Sequence, residues 1–329
     1  MGTQLGLQDL IVHHGENFNS PSSRPPRMLS LPPNLIEQEE RVRAYWMAEI
    51  LDNVSTVGAS WNLSLVSVTE SDILPCSDEV WTMNGYSDVQ PPNPSISFTN
   101  YVEFVSGPLY QVQKFMQQKF DLNSLPERSL WQNKCQELDE ILSTWRANLT
   151  DSLCKASQSR PGDVARAGFG TNMTLVRCLA NFAVISMYQR VSIHNSQHTN
   201  HIWPHAAQRC LDAVGDTCET VRCIADKELS WFCPFIICSV FTAARFLLAY
   251  AAFTGNEAPP SVDLLIYSMR LLSQRWPLAK RLAKVLRAAA LEYKATASTY
   301  TIPLQFYNLE YSTIDIDEAL KAWYMNSES

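Results

Sequence analysis

Apolar side chains recur every three or four residues along most of this sequence, and this spacing constrains the fold more than any other feature. Val42, Trp46 and Ile50, for example, stand four residues apart and share one face if the segment is helical. Glycine, which sheet proteins use in tight turns, makes up only 11 of the 329 residues. The sequence therefore predicts an all-α fold. We expect helices at residues 37–57, 101–120, 127–153, 173–193, 204–224, 229–254, 261–276, 277–295 and 315–324.

The composition does not divide the chain into two domains. Hydrophobic residues make up 46% of the chain and charged residues 18%, which is typical of globular proteins. Residues 19–33 contain five prolines, which exclude a helix and predict an extended connector. We therefore expect a single large multi-helix domain over residues 1–329, with the proline-rich connector 19–33 within it.

One stretch, residues 231–253, is apolar and long enough to span a bilayer. It also contains Pro234 and, near its middle, the charged Arg245. A charge at the centre of a membrane helix costs about 2.5 to 3.5 kcal/mol even on insertion scales. We therefore predict a buried core helix and no membrane partner.

The charge of the chain argues against direct nucleic-acid binding. The formal net charge is −7 and the isoelectric point is near 5.4, whereas duplex binding needs clustered lysine and arginine. The nine cysteines never form a CxxC pair, which is the spacing of zinc clips. We predict that this chain contains no zinc cluster and that its thiols are buried in a reducing compartment.

A histidine-rich segment has two interpretations. Histidines four residues apart can share a metal ion on one helix face, but the asparagines and Pro204 among them are typical of a connector. We favour a solvated loop over a metal site. The sequence also contains no glycine-rich phosphate loop and no nucleophile elbow, so we predict no catalytic, metal-binding or cofactor-binding residue. The histidines are His194, His198, His201 and His205.

Basic residues cluster once, across the two predicted helices at residues 261–276 and 277–295. Lys280, Lys284 and Arg287 share a helix face and could form a patch for acidic partners. The alternative, which we favour, is an ordinary solvated face opposite the apolar stripe of the same helix. The full cluster is Arg270, Arg275, Lys280, Arg281, Lys284 and Arg287.

A further pattern begins in the first predicted helix. Its residues, in order, are Glu40, Arg41, Arg43, Trp46, Leu51, Asp52, Ser55, Asp72, Leu74 and Pro75. This series resembles the signature of the fungal-specific transcription factor domain, the middle homology region of binuclear zinc-cluster regulators. Weaker matches follow in the family's order as far as residue 295. Asn53 and residues 59–62 depart from the family pattern.

The resemblance implies a transcriptional regulatory module in the nucleus, N-terminally truncated relative to the family domain and without its own DNA-binding zinc cluster. On this interpretation the protein is a fungal gene-cluster regulator and not an enzyme. Its expected partners are proteins of the transcription machinery or a DNA-binding regulator, and a small-molecule effector is a further candidate. The alternative is that the helical scaffold is reused as a secondary-metabolite pathway enzyme acting on a hydrophobic substrate.

The side chains of the signature residues favour a structural role over a role in an active site. Trp46 is a large apolar side chain whose truncation in a core costs about 3 to 5 kcal/mol. The polar residues Arg41, Arg43 and Asp52 lie on a helix with a wide apolar face, so we expect them to pair with neighbouring elements.

Overall fold

The structure is a computed structural model, and it describes Leu7 and residues 29–59, 73–76, 81, 98–158, 171–193, 203–224, 226–294, 302–309 and 316–328. These residues form helices, turns and short irregular segments, with no strand among them, which confirms the all-α prediction. A π-helical turn, Val105–Leu109, joins α2 to α3, and a 3-10 turn, Leu304–Phe306, precedes the last helix. The α-helices are α1 Leu35–Ala59, α2 Phe98–Phe104, α3 Tyr110–Met116, α4 Leu125–Gln158, α5 Thr171–Ser192, α6 Pro204–Arg222, α7 Asp226–Ser230, α8 Ile236–Thr254, α9 Ser261–Leu272, α10 Pro277–Lys294 and α11 Asp317–Glu328.

Helix α5 lies at the centre of the fold. From Met173 to Ser192 every side chain is buried except those of Arg177 and Arg190, which are partly exposed. A helix that is apolar on most faces must be covered on most faces. Helices α6 and α8 pack against it, as do α2, α3 and α4, and one main hydrophobic cluster extends from Leu7 to Leu320.

Local sequence signals set several helix ends. The side-chain oxygen of Asn34 accepts the backbone N–H of Glu37 at 2.8 Å and so caps α1. Gly255, with a φ of 68°, ends α8 in the left-handed conformation that glycine adopts without strain. Pro277 occupies the first position of α10, where a missing N–H costs no hydrogen bond.

The predicted helix at residues 229–254 was wrong in its first part. The chain instead forms the short helix α7, turns at residues 231–235, and begins α8 at Ile236. Pro234 lacks an N–H and disfavours the helical conformation of the residue before it, so the helix begins after it. Helix α9, which was predicted to reach residue 276, ends at Leu272. Pro277 excludes a helical continuation through residue 276 but does not explain the earlier end.

Among the described helices, α8 is long and apolar enough to cross a membrane, and 78% of its apolar window is buried inside the protein. Arg245, in the middle of α8, is completely buried. Its guanidinium donates to the backbone carbonyls of Phe306 at 2.8 Å, Asn308 at 2.8 Å and Gln305 at 3.2 Å. The charged side chain therefore ties the C-terminal segment 302–309 to the core.

A charged cluster joins the three helices α4, α5 and α6. The Asp216 carboxylate of α6 accepts from Arg177 at 2.6 Å and Asn181 at 2.7 Å, both on α5, and from Arg146 of α4 at 3.0 Å. Burial opposes ionisation of Asp216, but the hydrogen bonds from Asn181 and Arg177, with the positive charges of Arg146 and Arg177, lower its pKa.

The described part of the proline-rich connector, residues 29–33, is not helical. The histidines His194, His198 and His201 lie outside the described residues, and His205 is exposed on the first turn of α6. Within the described ranges, no group of three or more histidine, cysteine, aspartate or glutamate residues could hold a metal ion.

Candidate functional site

Two sets of residues singled out in the sequence are the signature of α1 and the basic cluster of α9 and α10. In the first, Arg43 pairs with Glu39 one turn earlier at 2.9 Å and donates to the backbone carbonyl of Cys76 at 2.8 Å. Glu39 in turn accepts the backbone N–H of Cys76 at 2.9 Å. The Arg43 guanidinium also lies 5.1 Å from the ring centroid of Trp81. These contacts attach the Leu74-Pro75 segment to α1.

Trp46 anchors the same segment from the apolar side. Its side chain is only 2% exposed, and its indole N–H donates to the carbonyl of Ile73 at 3.0 Å. Pro75 is buried against this region. The signature residues thus include an arginine and a tryptophan that hold a distant segment of the chain on α1.

The other signature residues make fewer tertiary contacts. Arg41 pairs with Glu37 and donates to the carbonyl of Ser30. Leu51 and Leu74 are 49% and 37% exposed, Glu40 is exposed, and Asp52 is half-buried. Ser55 lies in α1, although its side chain is outside the described part, as is Asp72. No member of this set lines the groove between α9 and α10 described below.

The second set lines a groove between α9 and α10 with a volume of about 660 Å³. Arg270 of α9 faces it from one side, and Lys280, Lys284 and Arg287 of α10 face it from the other. Leu271, Ala283, Ala288 and Leu291 supply its apolar surface, and Tyr267, Ser273, Gln274 and Tyr324 complete the lining. We call this surface the basic groove.

The groove gathers four of the six basic residues noted in the sequence. Arg275 instead packs over the rings of Trp231 and Trp276, at 4.8 and 5.2 Å from their centroids. Arg281 turns to the other side of α10, where it pairs with Asp317 at 2.6 Å. Our preferred prediction of an ordinary solvated face therefore describes only part of this cluster, because the two helices together form a concave, positively charged surface.

Aromatic rings stand at the edges of the basic groove. The Lys284 ammonium lies 4.7 Å from the ring centroid of Tyr324, a residue of α11. Tyr267, 43% exposed, donates its hydroxyl to Asp226, and this hydrogen bond raises the pKa of Tyr267. No pattern in the sequence indicated Tyr324, because α11 is far from the groove along the chain, whereas Tyr267 lies on α9 itself, three residues before Arg270.

The lining of the groove limits its chemistry. It contains no carboxylate, histidine or cysteine among the described residues. Acid–base catalysis near neutral pH most often uses those groups. The groove is therefore better suited to binding an anionic or polar partner than to catalysis.

Comparison with known proteins finds no matching family model and no matching solved structure. One curated protein is 26% identical over 276 residues, which cover 78% of this chain and 52% of the relative. It is described as the transcriptional coactivator of the notoamide biosynthesis cluster of Aspergillus versicolor. The chain thus spans about half the length of the relative that it matches, and over most of its own length it is similar to a fungal transcriptional coactivator.

Proposed function

We propose that this protein is a transcriptional regulator of a fungal biosynthesis gene cluster, and that residues 1–329 act as a regulatory module that contains no zinc cluster. The observation that carries the proposal is the similarity over 276 residues to a curated transcriptional coactivator of a biosynthesis cluster. The ordered signature in α1 supports it, since the same residues resemble those of fungal-specific transcription factor domains. On this proposal residues 1–329 form that regulatory domain.

The proposed site of action is the nucleus, and the proposed partner is a protein that itself binds DNA or belongs to the transcription machinery. The acidic chain, with its net charge of −7, is poorly suited to contact a DNA backbone directly. A coactivator of this kind reaches its promoters through another protein. A small-molecule effector is a further proposed partner.

Deletion of the gene, followed by measurement of all transcripts, tests the proposal. We expect a contiguous set of biosynthesis genes to lose expression and to regain it when the wild-type chain is restored. Unchanged transcripts in every condition that induces biosynthesis would contradict the proposal. A fluorescent fusion adds a second readout, because a protein excluded from the nucleus under those conditions could not act there.

A tethering experiment separates coactivation from DNA binding. Residues 1–329 fused to an unrelated DNA-binding domain should activate a reporter that carries the matching site, whereas the DNA-binding domain alone should not. The unfused chain should not bind promoter DNA of the cluster in a mobility-shift assay. Tight binding by the unfused chain would show that it needs no DNA-binding partner.

A further inference from the structure

The basic groove is positively charged, whereas the protein as a whole carries a negative net charge. The chain carries a net charge of −7, yet four cations and no carboxylate line this surface among the described residues. Arg270, Lys280 and Arg287 are exposed, and no described carboxylate forms an ion pair with any of them. A concentration of one sign of charge in a concave surface favours a partner of the opposite sign.

The spacing of the cations indicates an extended partner. Lys280 and Arg287 lie seven residues apart on α10, which corresponds to about 10 Å along the helix axis. Convergent donors within hydrogen-bond reach of one another are needed to hold a single phosphate or carboxylate. Cations distributed along two helix turns instead match carboxylates distributed along another segment of chain.

The apolar surface of the groove indicates that the partner is amphipathic. Leu271 of α9 and Leu291 of α10 line it, and Leu291 is 65% exposed. Tyr267 is also exposed, and tyrosine and arginine are among the residue types that most often dominate binding energy at protein interfaces. The groove follows α10 from Lys280 to Leu291, about 16 Å, which is the length of three helix turns.

We infer that the basic groove between α9 and α10 binds an acidic amphipathic helix of a partner protein, with its carboxylates on Arg270, Lys280, Lys284 and Arg287 and its apolar side chains on Leu271 and Leu291. This inference rests on the proposed function, because it gives the chemistry by which a coactivator without DNA contacts meets its DNA-binding partner. The mode is a helix laid in a groove with anchors at helical spacing.

The test uses the full 329-residue chain and fluorescein-labelled peptides. The probe is a helical peptide of about 15 residues with glutamates along one face and leucines beside them. A second peptide has lysine in place of each glutamate. Fluorescence anisotropy should show saturable binding of the glutamate peptide that weakens as salt rises, and no binding of the lysine peptide.

Charge reversal locates the binding surface. The double variant Lys280→Glu, Arg287→Glu should weaken binding of the glutamate peptide about tenfold or more. The matched control, Lys114→Glu with Lys119→Glu, makes the same change of charge on exposed residues outside the groove, and should leave the affinity within about twofold. Reversal of all four cations, Arg270→Glu and Lys284→Glu added to the double variant, should make the groove bind the lysine peptide, a gain that an unfolded variant could not show.

Four results would overturn the inference. Equal weakening by the control variant would mean that the whole surface charge, and not the groove, attracts the peptide. Full competition by inorganic phosphate or citrate at equimolar concentration would mean a small-anion site. Duplex DNA that displaces the peptide would mean a nucleic-acid surface. Sedimentation that shows a dimer which the groove variant dissociates would mean that a second copy occupies the groove.

The same variants distinguish failure of this inference from failure of the proposed function. If the restored groove variant supports normal transcription of the gene cluster, the inference fails while the proposed function stands. If deletion of the gene leaves all transcripts unchanged, the proposed function fails whatever the peptide does.

Discussion

Glu49 of α1 carries a carboxyl group that the fold removes from water. It is 1% exposed, and the side-chain amide of Asn53 donates to one of its oxygens at 3.2 Å. Its other oxygen has no hydrogen-bond partner among the described residues. Burial raises the pKa of Glu49 to about 7; the hydrogen bond from Asn53 partly opposes this, and the nearby charge of Asp52 adds to it.

The raised pKa of Glu49 predicts the direction in which the free energy of unfolding changes with pH. Between pH 4.5, the value for the unfolded chain, and about 7, the folded state holds a proton that the unfolded state has lost. The free energy of unfolding should therefore fall as the pH rises through this window, by at most about 3 kcal/mol. Glu49→Gln should remove this loss, and so be more stable than the wild type at pH 8 and similar to it at pH 4.

Urea denaturation at several pH values measures the effect. Glu40→Gln is the matched control, since Glu40 lies on the same helix and is exposed. An identical pH dependence in wild type and Glu49→Gln would show that the fold leaves the pKa of Glu49 at its unfolded value.

Residue roles could be predicted from the sequence only where side-chain size decided them. The indole of Trp46 is so large and apolar that a buried position follows from the helical spacing alone. The pair of Arg43 with Glu39 follows from the i, i+4 spacing. The contact of Arg43 with Cys76 could not be predicted, because Cys76 lies 33 residues away and accepts through its backbone carbonyl, which every residue carries. Leu51, an apolar member of the same signature, is half exposed, and nothing in the structure explains its place in that pattern.

At the scale of elements, Asp216 connects three helices through one carboxylate. Asp216→Asn should lower the free energy of unfolding by about 2 kcal/mol, because the guanidinium groups of Arg146 and Arg177 lose their counter-charge while part-buried. Since its pKa lies below the unfolded value of 3.8, this contribution is present above about pH 4 and is lost as the pH falls through the folded pKa.

A matched substitution on the same helix controls for the change in charge. Asp212 of α6 is exposed and accepts a hydrogen bond from Gln208 one turn away. Asp212→Asn should cost less than about 0.5 kcal/mol at neutral pH. Equal costs for the two substitutions in chemical denaturation would contradict a role for Asp216 in joining the helices.

Most helix positions could be predicted from the apolar spacing, whereas the interruptions within predicted helices could not. The π-helical turn Val105–Leu109 falls within the predicted helix 101–120, and the apolar spacing alone did not distinguish it from an α-helix. The basic groove could be predicted only in part from the sequence. The shared face of Lys280, Lys284 and Arg287 follows from helical geometry, but the approach of Arg270 depends on how α9 packs against α10.

At the scale of the whole molecule, the C-terminal segment completes the core. Phe306 is fully buried and meets the ring of Phe241 at a centroid distance of 6.3 Å. A chain that ends at Lys294 loses this side chain and the carbonyls that accept from Arg245. We expect such a chain to be destabilised by about 5 kcal/mol or more, with a lowered thermal midpoint by circular dichroism.

A second substitution makes this prediction specific to Arg245. In the shortened chain, Arg245→Met replaces a buried charge by an unbranched apolar side chain of similar length, so it should raise the midpoint relative to the shortened chain alone. In the full chain the same substitution should lower the midpoint, because three carbonyls lose their donor. The same sign in both backgrounds would mean that Arg245 and the segment 302–309 contribute independently.

Arg245 also affects when the core can fold during synthesis of the chain. Its acceptors lie 60 to 63 residues later in the chain, and a ribosome that adds about 5 to 20 residues per second needs about 3 to 12 seconds to make them. Until then α8 presents an apolar surface with a charge at its centre, and closing the core around that charge is unfavourable. The guanidinium thus disfavours the last step of folding until the carbonyls that receive it have been translated.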